Sequence, residues 1–181
     1  MRVVDYKTGK KDFSPKDLSN GENLQMFLYL KAICDTASPE FKREVGISED
    51  TPLIPAGVIY AKTEMAEVTV RADGDAKDAV KDAIKGRSGM LLDDQASIDA
   101  MNRSYVPIKF TKDGGINKKY LDKLYTLRSW DSDILEALST SVTGICKEML
   151  SGQVSATPLK KKGSSSVCDY CKFQPICRKT K

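Results

Sequence analysis

The apolar positions of this 181-residue chain change period along its length, and each change marks an element. Arg2–Lys7 is short, rich in β-branched residues and closed by Thr8-Gly9, which predicts a strand running into a turn. Residues 10–20 are polar, contain Pro15 and read as a loop. From about Gly21 to Asp35, apolar residues fall on more than one side of a helical wheel (Leu24, Met26, Phe27, Leu28, Leu30, Ala32, Ile33). That pattern predicts a helix buried nearly all round. Residues 36–55, with Pro39, Gly46, Pro52 and Pro55, form a connection. Gly57–Ala61, continuing through Lys62, and Glu67–Arg71 then read as two strands, antiparallel to one another.

Asp75–Lys85 has the spacing of a short amphipathic helix, with Asp75 as its N-cap and Gly86 as its stop. Met90–Asp94 leads into a helix over roughly Gln95–Met101. Tyr105–Phe110 alternates like a strand, and Pro107 places it at an edge. The strongest helical pattern is Trp130–Leu150. There Trp130, Ile134, Leu138, Val142, Ile145 and Met149 recur at spacings of three and four, and Gly152 follows. From Ser151 the chain turns loop-like, with Pro158, three lysines and Gly163-Ser164-Ser165-Ser166. The pattern contains no internal repeat. It predicts an α/β core over residues 1–150 and a tail over 151–181.

Composition narrows the class. With 40% hydrophobic residues the chain can bury one sizeable core. No apolar run approaches the roughly 18 residues that span a bilayer, so no membrane role is expected. Met-Arg-Val-Val-Asp-Tyr-Lys has no apolar signal region, and a cytoplasmic, reducing setting follows as the expectation. Five cysteines then favour metal ligation or buried thiols over disulfides. Charge is uneven: the tail carries seven Lys/Arg against one acid, Asp169, giving +6, while the rest carries −2. A basic tail suits phosphate contact, and equally a solvated terminus. The absence of histidine removes His-based acid–base chemistry, Ser-His triads and most His-containing zinc sites.

Asp5 and Lys7 carry the candidate chemistry. Two residues apart on a strand, their side chains point to the same face. A carboxylate there offers hard oxygen ligands to a divalent cation, and the ammonium offsets charge growing on a phosphate. The triplet recurs at Glu40/Lys42 and Asp75/Lys77, but only Asp5/Lys7 sits in a strand-like segment ending in a turn. Gln25 and Tyr29, at i and i+4, share one face of the following helix. On an apolar helix these two polar groups need partners, and a phosphate or the lysine would satisfy them; a helix edge at the surface would too.

Taken in order, Asp5-Tyr6-Lys7-Thr8-Gly9, then Gly21 to Tyr29 as G-x-x-L-Q-x-x-x-Y, then Cys168, Cys171 and Cys177 as C-x2-C-x5-C resemble the RecB-family nucleases of the PD-(D/E)XK superfamily. In particular they resemble the C-terminal nuclease domain of the AddB-type subunit of bacterial ATP-dependent helicase–nucleases. Ala56–Tyr60 and Met90–Asp94 also look like that family, so the resemblance covers most of the chain. It implies a restriction-endonuclease-like mixed sheet flanked by helices, with a cysteine-containing basic C-terminal tail. It also implies a Mg2+-dependent deoxyribonuclease (an exonuclease) that cuts single-stranded DNA in double-strand break repair and recombination, with an AddA-type partner that hydrolyses ATP. By the same resemblance Asp5 is a metal ligand, Lys7 the catalytic lysine, and Gln25 and Tyr29 the helix motif that follows. Cys168, Cys171 and Cys177 become three of four ligands to a [4Fe–4S] cluster, thiolates being the expected ligands.

The family also carries a metal-binding acid before D-x-K and a cluster cysteine earlier still. This chain begins four residues before Asp5, so both are expected upstream of Met1. The chain is then expected to be an N-terminally truncated piece, nearly inactive alone, with a first strand lacking a neighbour and open to swapping. Three other readings compete. One is a non-catalytic nucleic-acid-binding module whose three cysteines hold zinc, with Cys34 or Cys146 as the fourth ligand. Both of those sit on apolar helix faces, where cysteine behaves as a small hydrophobe. The others are a stand-alone RecB-like exonuclease and a subdomain that only docks a partner.

Overall fold

A computed structural model of the chain describes residues 1–8, 13–14, 16–63, 87–155, 158 and 167–177. The chain divides into two units, Met1–Thr143 and Gly144–Lys181. In the first, four strands form one mixed sheet in the order β1 (Arg2–Lys7), β2 (Gly57–Lys62), β3 (Arg87–Leu92) and β4 (Leu124–Tyr125). β1 runs parallel to β2, β2 antiparallel to β3, and β3 parallel to β4. Among the described residues β1 stands at one end of this order, with β2 as its partner. The parallel crossover from β1 to β2 carries helices α1 (Lys16–Ser19), α2 (Leu24–Thr36) and α3 (Pro39–Glu44).

Period-two alternation divides the core into two clusters, one on each face of the sheet. Val58, Tyr60, Met90 and Leu92 pack with Phe27, Leu30 and Trp130, and Val3 joins them partly buried. Ile59 and Leu91 point the other way, onto Ile98, Met101, Val106 and Ile108, with Val4 at the margin. The first cluster is held by rings. Phe27 lies 5.5 Å from Phe13 and 6.1 Å from Trp130, and Trp130 lies 5.7 Å from Tyr125. Trp130 is thus a core residue, as its helical spacing predicts. Tyr125 donates its hydroxyl to the Pro55 carbonyl at 2.6 Å, tying β4 to the start of β2.

Several elements differ from the sequence expectation. α2 is one-sided: Met26, Phe27 and Leu30 are buried, while Gln25, Leu28 and Tyr29 are exposed. Its apolar residues are more numerous than the single stripe the sheet can cover. Short helices form at Lys16–Ser19 and Pro39–Glu44, inside segments read as loops; the second is capped by Ser38, which accepts from the Phe41 amide. Arg87–Leu92 forms a strand the sequence reading did not assign, and it leads into the expected helix. Its Met90-Leu91-Leu92 run is buried on both faces and so lacks the alternation that marks a half-exposed strand. The helix that follows, α4 (Gln95–Asp99), is capped by Asp94, whose carboxylate accepts from the Ser97 amide at 2.8 Å. Hydrogen bonding from the Ser97 hydroxyl first, and from its amide, holds the Asp94 carboxyl below its ordinary range.

Tyr105–Phe110 forms no ladder. Pro107 supplies no amide donor, and pairing is confined to one bridge, Phe110 to Ile116. The long C-terminal helix begins at Leu127, passes through a π turn at Trp130–Ile134 and continues as α5 (Leu135–Leu150). Of its predicted apolar stripe, Trp130, Ile134 and Leu138 are buried, whereas Ile145 and Met149 are exposed. The strand read at Glu67–Arg71 and the helix read at Asp75–Lys85 lie outside the described residues. No helix among the described residues is long and apolar enough to cross a membrane.

Gly89 is the tightest point of the sheet. Opposite Ile59 at φ +153°, it would place a Cβ 2.0 Å from the Val58 carbonyl oxygen. Gly89→Ala is therefore expected to cost about 3 kcal/mol or more, read as a large drop in the urea midpoint; an unchanged midpoint would show that β2 and β3 are not this close. Tyr125 gives a pH signature. Burial pushes its phenol above the ordinary value, so the folded chain keeps a proton that the unfolded chain releases. That contribution is full below about pH 10 and lost as pH rises beyond it. Tyr125→Phe should lose about 1 kcal/mol at pH 7 with its hydrogen bond, yet show a shallower alkaline decline in urea melts than the parent chain.

Candidate active site

Backbone pairing first fixes where the D-x-K residues stand. Asp5 lies opposite Tyr60 and Lys7 opposite Lys62 across the parallel ladder. Both ends of β1 are fastened: the Ala56 amide donates to the Met1 carbonyl at 2.6 Å, and the Thr63 amide donates to that of Lys7 at 2.9 Å. Alternation then turns Asp5 and Lys7 toward the face that carries Val3 and α2, and Val4 and Tyr6 away from it. The two side chains meet, Lys7 Nζ lying 2.7 Å from Asp5 Oδ2, and both remain partly open to solvent. The Lys7 ammonium also lies 5.8 Å from the centre of the Tyr60 ring.

Tyr60 joins this pair to the base of α2. Its hydroxyl donates to Asn23 Oδ1 at 3.4 Å, and Asn23 Nδ2 donates to Asp17 Oδ2 at 2.6 Å. Asn23 precedes the first turn of α2 in the left-handed conformation, φ 57°, which asparagine tolerates better than most residues. Burial is the main cause that raises the Tyr60 phenol above its ordinary value, with the Asp5 and Asp17 carboxylates adding to it. Tyr60 is accordingly a neutral hydrogen-bonding group beside the Asp5 and Asp17 carboxylates. Sequence reasoning did not single out Tyr60, Asn23 or Asp17. A polar residue just before a helix was the available signal for Asn23, and alternation from Val58 was the one for Tyr60.

Gln25 and Tyr29 stand on the exposed side of α2 and satisfy each other, Gln25 Nε2 donating to the Tyr29 hydroxyl at 2.8 Å. α2 packs on β1 and β2, but no hydrogen bond among the described residues joins this pair to Asp5 and Lys7. The structure thus brings together two pairs, each internally bonded, on the same side of the sheet. Asp5, Lys7, Gln25 and Tyr29 all lie within a match to the PD-(D/E)XK nuclease superfamily that spans residues 1–178.

The chain belongs to the PD-(D/E)XK nuclease superfamily.

The mixed sheet flanked by helices is consistent with the restriction-endonuclease-like fold of that superfamily. Among individual relatives, the chain is similar to the B-type subunit of the ATP-dependent helicase/deoxyribonuclease of Acetivibrio thermocellus, at 30% identity over 98% of this chain and 15% of the relative. The proteins of the same name from Thermoanaerobacter sp. and Clostridium kluyveri are 29% and 30% identical, again over 98% of this chain and 15% of theirs. The chain therefore spans about 15% of the length of the curated relatives it matches.

In this PD-(D/E)XK chain the cysteine run belongs to the second unit. Cys168 lies in a 3-10 turn, Val167–Tyr170, and the Cys171 amide donates to the Cys168 carbonyl at 3.2 Å. Cys177 follows two further turns, its amide bonded to the Phe173 carbonyl at 2.9 Å. None of the three forms a disulfide among the described residues; Cys171 and Cys177 are exposed and Cys168 partly so. Their chemistry suits a metal or cluster, but among the described residues no three His, Cys, Asp or Glu side chains converge on one point. Cys34 is partly buried against the first core cluster, and that burial raises its thiol, as for a small hydrophobe. Cys146 differs from expectation: it is exposed rather than set in an apolar face.

Proposed function

We propose that this chain is the deoxyribonuclease part of a helicase–nuclease, cutting single-stranded DNA exonucleolytically in the presence of Mg2+ during double-strand break repair and recombination. The observation that carries the reading is the Asp5–Lys7 pair, 2.7 Å apart on one face of β1 in a chain of this superfamily. The names of its relatives, B-type subunits of an ATP-dependent helicase/deoxyribonuclease, support the substrate and the setting. An AddA-type subunit that hydrolyses ATP is the partner, and the cytoplasm the compartment.

The chemistry follows from the residues. In phosphodiester hydrolysis a water oxygen bonds to phosphorus, the bond from phosphorus to one sugar oxygen breaks, and that oxygen gains a proton. Mg2+, when bound, supplies Lewis acidity and a water of lowered pKa. Asp5 offers it a carboxylate. Lys7 offsets the negative charge that grows on the phosphate oxygens, and in the absence of phosphate it occupies Asp5 and competes for that carboxylate. Gln25 and Tyr29 hydrogen-bond the DNA from the exposed side of α2. By itself the chain holds metal weakly and is nearly inactive. Cys168, Cys171 and Cys177 contribute three thiolates to a [4Fe–4S] cluster whose fourth ligand is another residue.

Two experiments test this. At micromolar chain, end-labelled single-stranded DNA should be cut slowly with Mg2+ or Mn2+, and both Asp5→Asn and Lys7→Ala should lower the rate by at least about 100-fold. Mn2+ binding, followed by electron paramagnetic resonance, should be lost in Asp5→Asn. It should tighten up to about fivefold in Lys7→Ala, where the competing ammonium is gone. Metal-dependent cleavage that survives both substitutions would remove Asp5 and Lys7 from the site. Anaerobic reconstitution with iron and sulfide should give the visible absorbance of an iron–sulfur cluster, labile in air and lost in Cys171→Ser. Stoichiometric zinc uptake without that absorbance would instead favour a zinc-bearing nucleic-acid-binding module.

A further inference from the structure

The sheet face that turns away from Asp5 and Lys7 carries a second concentration of charge. Its floor is the apolar cluster of Ile59, Leu91, Val106 and Ile108. Over that floor opens a cavity of about 470 Å3 lined by four cations, Arg87, Arg103, Lys109 and Lys123, and by two rings, Phe110 and Tyr120. Among the described residues no carboxylate lines it; Asp99 reaches Arg103 from outside, at 2.8 Å. Arg87 also lines a neighbouring cavity of about 350 Å3, together with Arg2, Lys62, Tyr6 and Tyr105. The two cavities thus adjoin at one guanidinium and follow one side of the first unit.

Cations and rings are interleaved along this track. The Arg87 guanidinium lies 4.2 Å from the Tyr105 ring centre, that of Arg103 4.5 Å from Phe110, and the Lys123 ammonium 5.7 Å from Tyr120. A guanidinium over a ring face can still present part of its N–H fork to a phosphate. Two of the rings are offered to solvent: Tyr6 is 70% exposed and Tyr105 53%. Such large exposed aromatics beside a run of cations are poorly placed for folding but well placed for a ligand that carries both flat rings and anions. An acidic peptide would use the cations and waste the rings. A duplex keeps its bases stacked on one another. A single strand of nucleic acid presents unstacked bases and regular phosphates together.

We infer that the sheet face opposite Asp5 and Lys7 is a second, non-catalytic track that binds single-stranded nucleic acid, phosphates on Arg87, Arg103, Lys109 and Lys123 and bases on Tyr105 and Tyr6. This track shares its ligand class with the proposed reaction but does not rest on the Asp5–Lys7 pair or on metal.

The test is fluorescence anisotropy of a labelled oligothymidylate with the whole chain in EDTA, over a range of salt. Lys109→Ala/Lys123→Ala should weaken binding about tenfold and flatten the log–log salt slope by roughly 1.4, about 0.7 per lost phosphate contact. Tyr105→Ala should weaken binding by about tenfold with the slope unchanged. Arg43→Ala, on α3 and outside both sites, should leave affinity within about twofold, and circular dichroism should show each variant folded. Unchanged affinity in both track variants overturns the inference. So does a loss in Arg43→Ala equal to that of the double lysine variant, or equally tight binding of a duplex or of polyglutamate. Because EDTA removes the metal, failure of the nuclease reading would show separately, as absent Mg2+-dependent cleavage with this binding intact.

Discussion

The parallel register of β1 against β2 is the constraint on which the functional arrangement depends. Asp5 faces Tyr60 and Lys7 faces Lys62, and hydrogen bonds from Ala56 and Thr63 close the ladder at its two ends. A slip of one residue would exchange the two faces of β1. Asp5 and Lys7 would then turn onto the face of Ile59 and Leu91, and Tyr6 would meet α2. Backbone pairing, rather than any contact made by the carboxylate or the ammonium, decides where the chemistry stands. The close approach of Gly89 to the Val58 carbonyl continues that pairing into β3, so the register is held by the sheet as a unit.

α2 supplies the second element of the site, and its rotation is set by rings. Phe27 sits fully buried between Phe13 and Trp130. With Met26 and Leu30 committed to the same side, Gln25 and Tyr29 are left on the exposed side, bonded to each other. At the helix start, Asn23 adopts a left-handed conformation that lets its amide reach both Asp17 and Tyr60. The path from the Asp5 strand to the helix therefore runs through a tyrosine and an asparagine. Neither is charged, which suits a position beside the Asp5 and Asp17 carboxylates.

The sheet separates two kinds of chemistry by its pleat alone. One face gathers a carboxylate, an ammonium and the polar side of a helix. The other gathers cations and rings over an apolar floor. Consecutive residues of β1 serve both: Asp5 and Lys7 on one side, Tyr6 on the other. In a superfamily chain that spans about 15% of its relatives' length, such economy lets one small sheet present two surfaces.

Some of this was legible in the residues. Arg2–Lys7 and Gly57–Lys62 read as strands because β-branched runs bounded by turn residues leave few alternatives, and both strands have the predicted bounds. The D-x-K spacing is enough to set Asp5 and Lys7 on one face, since alternation is local. The C-x2-C-x5-C spacing is equally local, yet spacing alone does not bring Cys168, Cys171 and Cys177 to one point. Other features depended on what packs against what. Apolar residues around α2 suggested burial on every side, and only the sheet's single face decided that Leu28 and Tyr29 stay in solvent. Met90-Leu91-Leu92 is a central strand because β2 and β4 pair with its two edges and the two core clusters cover its faces, none of which its own pattern carries. The cation-and-ring track joins residues from β1, β2, β3 and the segments on either side of Phe110, which no linear motif unites. The sequence determined the local period and the chemistry of each side chain; the tertiary structure decided which face each period was turned to, because burial is a property of the neighbour as well as of the residue.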